Sequence, residues 1–352
     1  MRRFIPTLGA SVFLLALVGA VVNVPYVLLS PGPVFNTLGT DQGNELISIS
    51  GTKTYKTTGE INMTTVSETG GPDEGISLLQ GIFALLDNET TVIPRENNYP
   101  PGETAEESYL QGAEDFSLSQ SDAIAAAMGY LQKPLRQDVA VVSVSYNAPS
   151  HNKLKAGDHI HLIDGVLMKT PKQVVAVIRA SSIGTVFSFE VIRGTKKVVV
   201  KIKSEANSDD PATKEDETKL PFIGIGVGML YSAKFAINFE LDDVGGPSAG
   251  TMFALGIIDK LTPGSLTNGN IIAGTGTITP TGKVGPIGGI AHKLIGAKRA
   301  GAKLFIAPES NCGDVLGRIP AGLTVVPVSN INEAVMAIQG FNKGTKLASC
   351  SK

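Results

Sequence analysis

The chain has 352 residues, 42% of them hydrophobic and 18% charged, with 30 Lys and Arg against 32 Asp and Glu for a formal net charge of −2. That balance excludes a protein that coats nucleic acid, and the length gives two or three domains, each able to bury a core. Two cysteines, Cys312 and Cys350, cannot build a disulfide framework or a four-ligand zinc site, and the four histidines contain no HExxH pair, so no metal is expected.

Met1-Arg2-Arg3 precedes an apolar stretch from Phe4 to Leu29, of which Leu8 to Leu29 alone is 22 positions. A helix of about 20 residues crosses the ~30 Å of a bilayer's hydrocarbon. Residues 1–30 are therefore expected to form an N-terminal transmembrane helix. The paired arginines place its N-terminus in the cytoplasm and the catalytic part outside, a single-pass cell-membrane protein. A cleaved secretory signal ending near Val18-Gly19-Ala20 is the alternative, and continued hydrophobicity through Leu28-Leu29 favours the anchor. In an oxidising space Cys312 and Cys350 could pair, although Cys350 lies in a polar tail.

Residues 31–135 read as an α+β region packing with the C-terminal domain. Strands are expected at Ile47–Ser50 and Ile61–Val66, and helices at Ile76–Leu86 and Ala105–Leu131, the second interrupted near Phe116-Ser117. No chemistry announces itself there. From 136 to 203 the pattern is strands with one helix: Val139–Val144, then Leu154 to Gly165 reading LxxGDxIxxIDG, a helix opening at Thr170-Pro171, and a closing hairpin around Arg193-Gly194. This segment resembles a PDZ domain, a fold that adds an extended peptide to a sheet edge. The glycine loop that would hold a peptide carboxylate is expected before Val139, where Lys133-Pro134-Leu135-Arg136 stands instead, so a spacer role is an equal reading. Residues 204–218 are acidic, lack the DxDxDG spacing of a calcium loop, and read as a linker.

The chemistry concentrates in residues 219–340. After a glycine-rich strand region, Phe222 to Val227, and an alternating strand at Phe235–Phe239, the chain reads Val244-Gly245-Gly246-Pro247-Ser248-Ala249-Gly250 and then turns apolar as far as Pro263. Ser248 thus sits where a tight turn enters a helix. Free amides and the positive end of the helix dipole are found there, which suits a serine nucleophile and equally suits a plain N-cap. Further on, Ile271 to Ile278 is a strand and Thr279 to Lys283 a hairpin turn. A helix follows from Ile290 to Ala300, whose apolar face of Ile290, Leu294 and Ala297 includes Lys293. A lysine on a packed face is desolvated and approaches neutrality, where it can act as a base, whereas a lysine that snorkels to water stays charged.

Gly246-Pro247-Ser248-Ala249-Gly250, Thr275-Gly276-Thr277-Ile278-Thr279 and Gly285-Pro286-Ile287-Gly288-Gly289 leading to Lys293 together resemble the proteolytic domain of Lon proteases, whose motifs read GPSAG, TGxIT and PIGGxxxK. With the apolar N-terminus and the PDZ-like segment, the chain resembles the membrane-anchored Lon-like proteases of Gram-positive bacteria. The resemblance implies Ser248 as nucleophile, Lys293 as general base, Thr275 as the residue orienting that base, and the amides of Gly245 and Ser248 as oxyanion donors. It also implies a homo-oligomer, a hexamer in the family. Gly245 departs from the acidic residue that ATP-dependent members carry there. A GxxxxGK[ST] nucleotide loop is absent: Gly276 to Lys283 has the wrong spacing, with Val284 after the lysine.

The expected fold is α+β and multidomain: an N-terminal transmembrane helix at 1–30, an α+β region at 31–135, a PDZ-like β-rich domain at 136–203, an acidic linker at 204–218, a Lon-type proteolytic α/β domain at 219–340 and a polar tail at 341–352. The expected function is an ATP-independent, membrane-anchored Ser–Lys endopeptidase cleaving peptides or unfolded proteins outside the cytoplasm. It needs no cofactor and no metal, and its partners are peptide substrates and the cell membrane, with no nucleic acid and no nucleotide. The competing class is a non-catalytic peptide-binding scaffold, which would need neither Ser248 nor Lys293. A small-ester hydrolase would use the same pair.

Overall fold

The computed structural model describes residues 13, 17–41, 43–206, 220–241 and 244–350. From the N-terminus its principal elements run β1 (Tyr26–Asn36), β2 (Glu60–Thr69), α1 (Leu78–Ala84), β3 (Thr91–Pro94), α2 (Ala105–Tyr130), β4 (Leu135–Val144), β5 (His159–Ile163), α3 (Pro171–Arg179), β6 (Val186–Arg193), β7 (Lys196–Lys203), β8 (Ile225–Ala233), α4 (Gly250–Leu261), β9 (Ile271–Gly274), α5 (Ile290–Arg299), β10 (Leu304–Pro308), β11 (Thr324–Val328) and α6 (Ile331–Asn342).

A six-stranded sheet, ordered β11-β10-β9-β2-β1-β3, organises the larger body. β11, β10, β9 and β2 run parallel, and β1 and β3 add antiparallel strands at one side. Because successive side chains of a strand point to opposite faces, the short apolar strands feed two cores at once. Ile272, Leu304, Ile306 and Val326 pack with Met252, Phe253 and Leu255 of α4 and with Val335 and Ile338 of α6. Ala273, Phe305, Ala307 and Val325 face the other way, onto Ile290, Leu294 and Ala297 of α5. The result is three layers, with α4 and α6 on one side of the sheet and α5 on the other.

α2 lies against α4, where Phe116 meets Phe253 edge to face with ring centroids 5.6 Å apart. It runs unbroken over 26 residues from a Thr104/Glu107 capping box, so the interruption expected near Phe116-Ser117 does not occur. Its serines serve neighbours rather than competing with its own backbone: Ser119 Oγ donates to the Pro247 carbonyl and Ser121 Oγ accepts from the Tyr231 amide.

The second sheet runs β7-β6-β5-β4-β8 around its own core, with Val174 and Ile178 of α3 packed against Ile163, Phe187, Phe189 and Val191. β8, expected at the start of the C-terminal domain, pairs antiparallel with β4 along its length, from Ile225 opposite Val144 to Ala233 opposite Leu135, and so forms an edge of this sheet beside α3. The chain enters β8 through Gly224 in a left-handed conformation, φ +73°.

The membrane helix expected at residues 1–30 is corrected by the structure. Residues 1–12 and 14–16 lie outside the described residues, a helix covers 17–21, and from there the chain is extended: Asn23–Val24 pairs with Ile76–Ser77, and Tyr26 to Asn36 is β1. No described helix is long and apolar enough to cross a membrane. The physical reason is visible in the sequence itself: Pro25 breaks a helical run toward its end, and β1 absorbs the Pro31-Gly32-Pro33 that follows at an irregularity in its pairing with β2. The expected single-pass cell-membrane localisation loses its ground with the helix. Most of the acidic segment at 204–218 also lies outside the described residues, from 207 onward. The expected polar tail is partly ordered: α6 continues to Asn342, Leu347 packs on the large core, and Cys350 forms a disulfide with Cys312.

Candidate active site

Ser248 stands two residues before α4, on a turn that two other segments, α2 and the stretch after β9, hold in place. The Gly246 amide, at φ +87°, donates to the Gly112 carbonyl of α2 (2.9 Å), and the Pro247 carbonyl accepts from Ser119 Oγ (3.1 Å). The Ser248 carbonyl accepts twice, from the Gly276 amide (2.8 Å) and from Thr275 Oγ1 (3.0 Å), while the Thr251 amide donates to Gly276 (3.0 Å). The N-cap of α4 is Ala249, with no side-chain cap, so the Ser248 hydroxyl is not spent on the helix. Among the described residues neither the Gly245 amide nor the Ser248 amide has a protein acceptor.

Gly245 itself is explained by its neighbour. A Cβ at 245 would come within 3.1 Å of the Gly112 Cα, tighter than ordinary contact, so a side chain there would press α2 away from the turn. The departure from an acidic residue at this position goes with the close approach of α2.

Lys293 arrives from the opposite layer. Gly289, left-handed at φ +67°, opens α5, and Lys293 follows one turn later on the face that Ile290, Leu294 and Ala297 bury. It is 3% exposed, and its Nζ donates to Ser248 Oγ at 2.7 Å and to Thr275 Oγ1 at 3.1 Å. Thr275 directly follows β9, so the three side chains meet beyond the carboxyl end of a parallel strand, where helices on the two faces of a sheet converge. Burial lowers the Lys293 amine to about 8, because an ammonium out of water is disfavoured against the neutral form. In the neutral form the nitrogen lone pair can accept the serine proton across that 2.7 Å contact.

His292, the other basic group nearby in sequence, is turned elsewhere: its Nδ1 lies 3.0 Å from the Glu89 carbonyl oxygen. The sequence reading missed the contribution of α2. Gly112 and Ser119 are seven positions apart and therefore share a helix face, and a small-residue stripe of that kind is the one sign in the sequence that another backbone comes close.

Residues 243–339 match the model of the Lon protease (S16) C-terminal proteolytic domain, and residues 126–204 match that of the PDZ domain. The Lon protease of Rhizobium meliloti is 37% identical over 93 residues, 26% of this chain and 11% of that protein. Lon protease 1 of Bacillus subtilis is 37% identical over 118 residues, 32% of this chain and 15% of that protein. The chain thus spans a small part of the length of these relatives. Among solved structures, the PDZ domain of the SdrC-like protein from Listeria innocua is 28% identical, covering 26% of this chain and 92% of that one, with a TM-score of 0.22. The chain carries a PDZ domain and, at residues 243–339, the proteolytic domain of a Lon-type serine peptidase.

Proposed function

We propose that the chain is an endopeptidase cleaving peptides or unfolded protein segments by acyl transfer, without ATP, through a Ser248–Lys293 pair. Ser248 Oγ attacks the scissile carbonyl carbon as Lys293 Nζ takes its proton. The amides of Gly245 and Ser248 receive the developing oxyanion, and Thr275 Oγ1 keeps the amine aimed. The C–N bond then breaks as the ammonium returns the proton to the leaving amine. Water, deprotonated by the same amine, next hydrolyses the Ser248 ester to release the acid. The observation that carries this reading is the 2.7 Å contact between a buried lysine, without an ion-pair partner among the described residues, and a serine whose hydroxyl caps nothing. Peptide recognition by the PDZ part fits the same reading, since β8 offers a sheet edge beside α3 and is entered over a left-handed glycine. A homo-oligomer is part of the proposal on family resemblance alone.

The test is to label wild type and Ser248→Ala with a fluorophosphonate probe and to follow cleavage of unfolded casein. Labelling and turnover should both vanish in the variant, with turnover falling at least about a thousandfold, while its thermal melt stays that of a folded protein. Undiminished cleavage would remove Ser248 from the role.

A further inference from the structure

Between the hairpin and α5 the chain passes through Gly285-Pro286-Ile287-Gly288-Gly289, and little in that stretch holds itself. Gly288 and Gly289 have the widest backbone freedom of any residue, and α5 begins without a side-chain cap. The segment is gripped from outside. Asn311 Oδ1 accepts from the Ile287 amide at 3.0 Å and its Nδ2 donates to the Ile287 carbonyl at 2.9 Å, as a neighbouring strand would, with a further bond to Asp314 Oδ2 at 3.1 Å. Asn311 is 4% exposed. The adjoining Cys312 is tied to Cys350, and Val315 in the same turn packs with Ile290, Leu294 and Ala297, a cluster that Ile287 also joins. Backbone and side chain of residue 287 are both fixed against the buried face of α5.

We propose that Asn311 is a positioning residue for the Ser–Lys pair: by gripping Ile287 it sets the start of α5, and so the place from which Lys293 reaches Ser248. The inference rests on the function proposed above. Asn311 bonds to Ile287 and Asp314, not to Ser248 or Lys293, and acts through the loop. Without its amide, the Ile287 amide and carbonyl lose both partners, and two glycines are free to let the segment drift. A short contact such as Nζ to Oγ has little slack, and a loosened loop admits water to a nitrogen whose basicity burial alone sets. The surrounding charged groups are engaged elsewhere. On β2, Glu60 bonds to Asn62 and Glu68 to Asn98 and Tyr99. Before β3, Glu89 pairs with Arg299 of α5. Beyond the loop, Asp314 bonds to Asn311, and Arg318 lies on the His292 side, where its charge adds to burial in lowering the His292 pKa.

The experiment compares wild type with Asn311→Ala, reading kcat/KM on unfolded casein from pH 6 to 10.5 beside a thermal melt. Competitive acetylation of Lys293, quantified by mass spectrometry, reads its titration without any catalysis. The expected result is an alkaline displacement of the activity limb by about one pH unit, which is about a tenfold loss at pH 7, converging on wild type near pH 10, with the same displacement in the acetylation curve. Asn311→Asp has the same shape and keeps the acceptor for the Ile287 amide. It should move both curves in the same direction by less, and it decides the matter if the alanine variant does not fold. An equal loss at every pH, or an unmoved Lys293 titration, overturns the proposal. Wild type with no turnover would overturn the proposed function instead, and the acetylation curves would still judge Asn311.

Discussion

On the proposed mechanism the pH dependence of the reaction follows from one buried amine. Lys293 has an ordinary value of 10.5, lowered by desolvation to about 8. At pH 7 an amine of ordinary basicity is neutral about 0.03% of the time, and one titrating near 8 about 9% of the time, so burial raises the base-competent fraction about 300-fold. Attack by Ser248 should therefore quicken about fivefold from pH 7 to pH 8 and less than about twofold more above pH 8, a curve fixed by a single titration. The same burial costs the fold. Below pH 8 native and unfolded chains both carry the proton, and the native ammonium, out of water, is worse off by about 3 kcal/mol. Between pH 8 and 10.5 the unfolded chain binds more protons than the native one, so this contribution to stability improves as pH rises through that window. Replacing the amine by a thioether of like length, Lys293→Met, should then abolish turnover and at the same time stabilise the protein at pH 7 by up to about 3 kcal/mol. Stopped-flow labelling with a fluorophosphonate across pH 6 to 10, paired with urea unfolding of both proteins at pH 7, measures the two effects. A flat labelling profile, a midpoint near 10.5, or an active methionine variant would refute the reasoning.

Thr275→Val keeps the shape of the threonine but removes the acceptor for Lys293 Nζ and the donor to the Ser248 carbonyl. It should cost about 1–3 kcal/mol of stability and roughly 10- to 100-fold in kcat with KM little changed, as seen in steady-state kinetics and a thermal melt. The disulfide closes a 38-residue separation, for which chain entropy gives at most about 4 kcal/mol. Cys350→Ser should accordingly lower the melting temperature, and wild type in a reductant should melt at the same point as the variant.

Much of the catalytic segment was legible because its determinants are local. The turn before α4 announced itself as Gly-Pro-Ser-Ala-Gly, and the 3.6-residue period of Ile290, Leu294 and Ala297 put Lys293 on a packed face. What escaped was set by partners distant in sequence. β8 looks from its neighbours like the start of the C-terminal domain, yet it pairs with a strand far earlier in the chain, Ile225 with Val144 and Ala233 with Leu135. The bonds from Gly112 and Ser119 to the Ser248 turn join residues more than a hundred positions apart and have no local signature. The N-terminus misled for another reason: a strand paired within a sheet and a membrane helix draw on the same apolar residues, and Pro25 inside the run, with Pro31 and Pro33 just after it, told them apart.

Ser248 precedes a helix on one side of the central sheet and Lys293 rides a helix on the other, and they meet only past the end of β9. On the proposed mechanism neither side of the sheet alone holds the pair, so the capacity to cut depends on both helix layers closing on the strands between them.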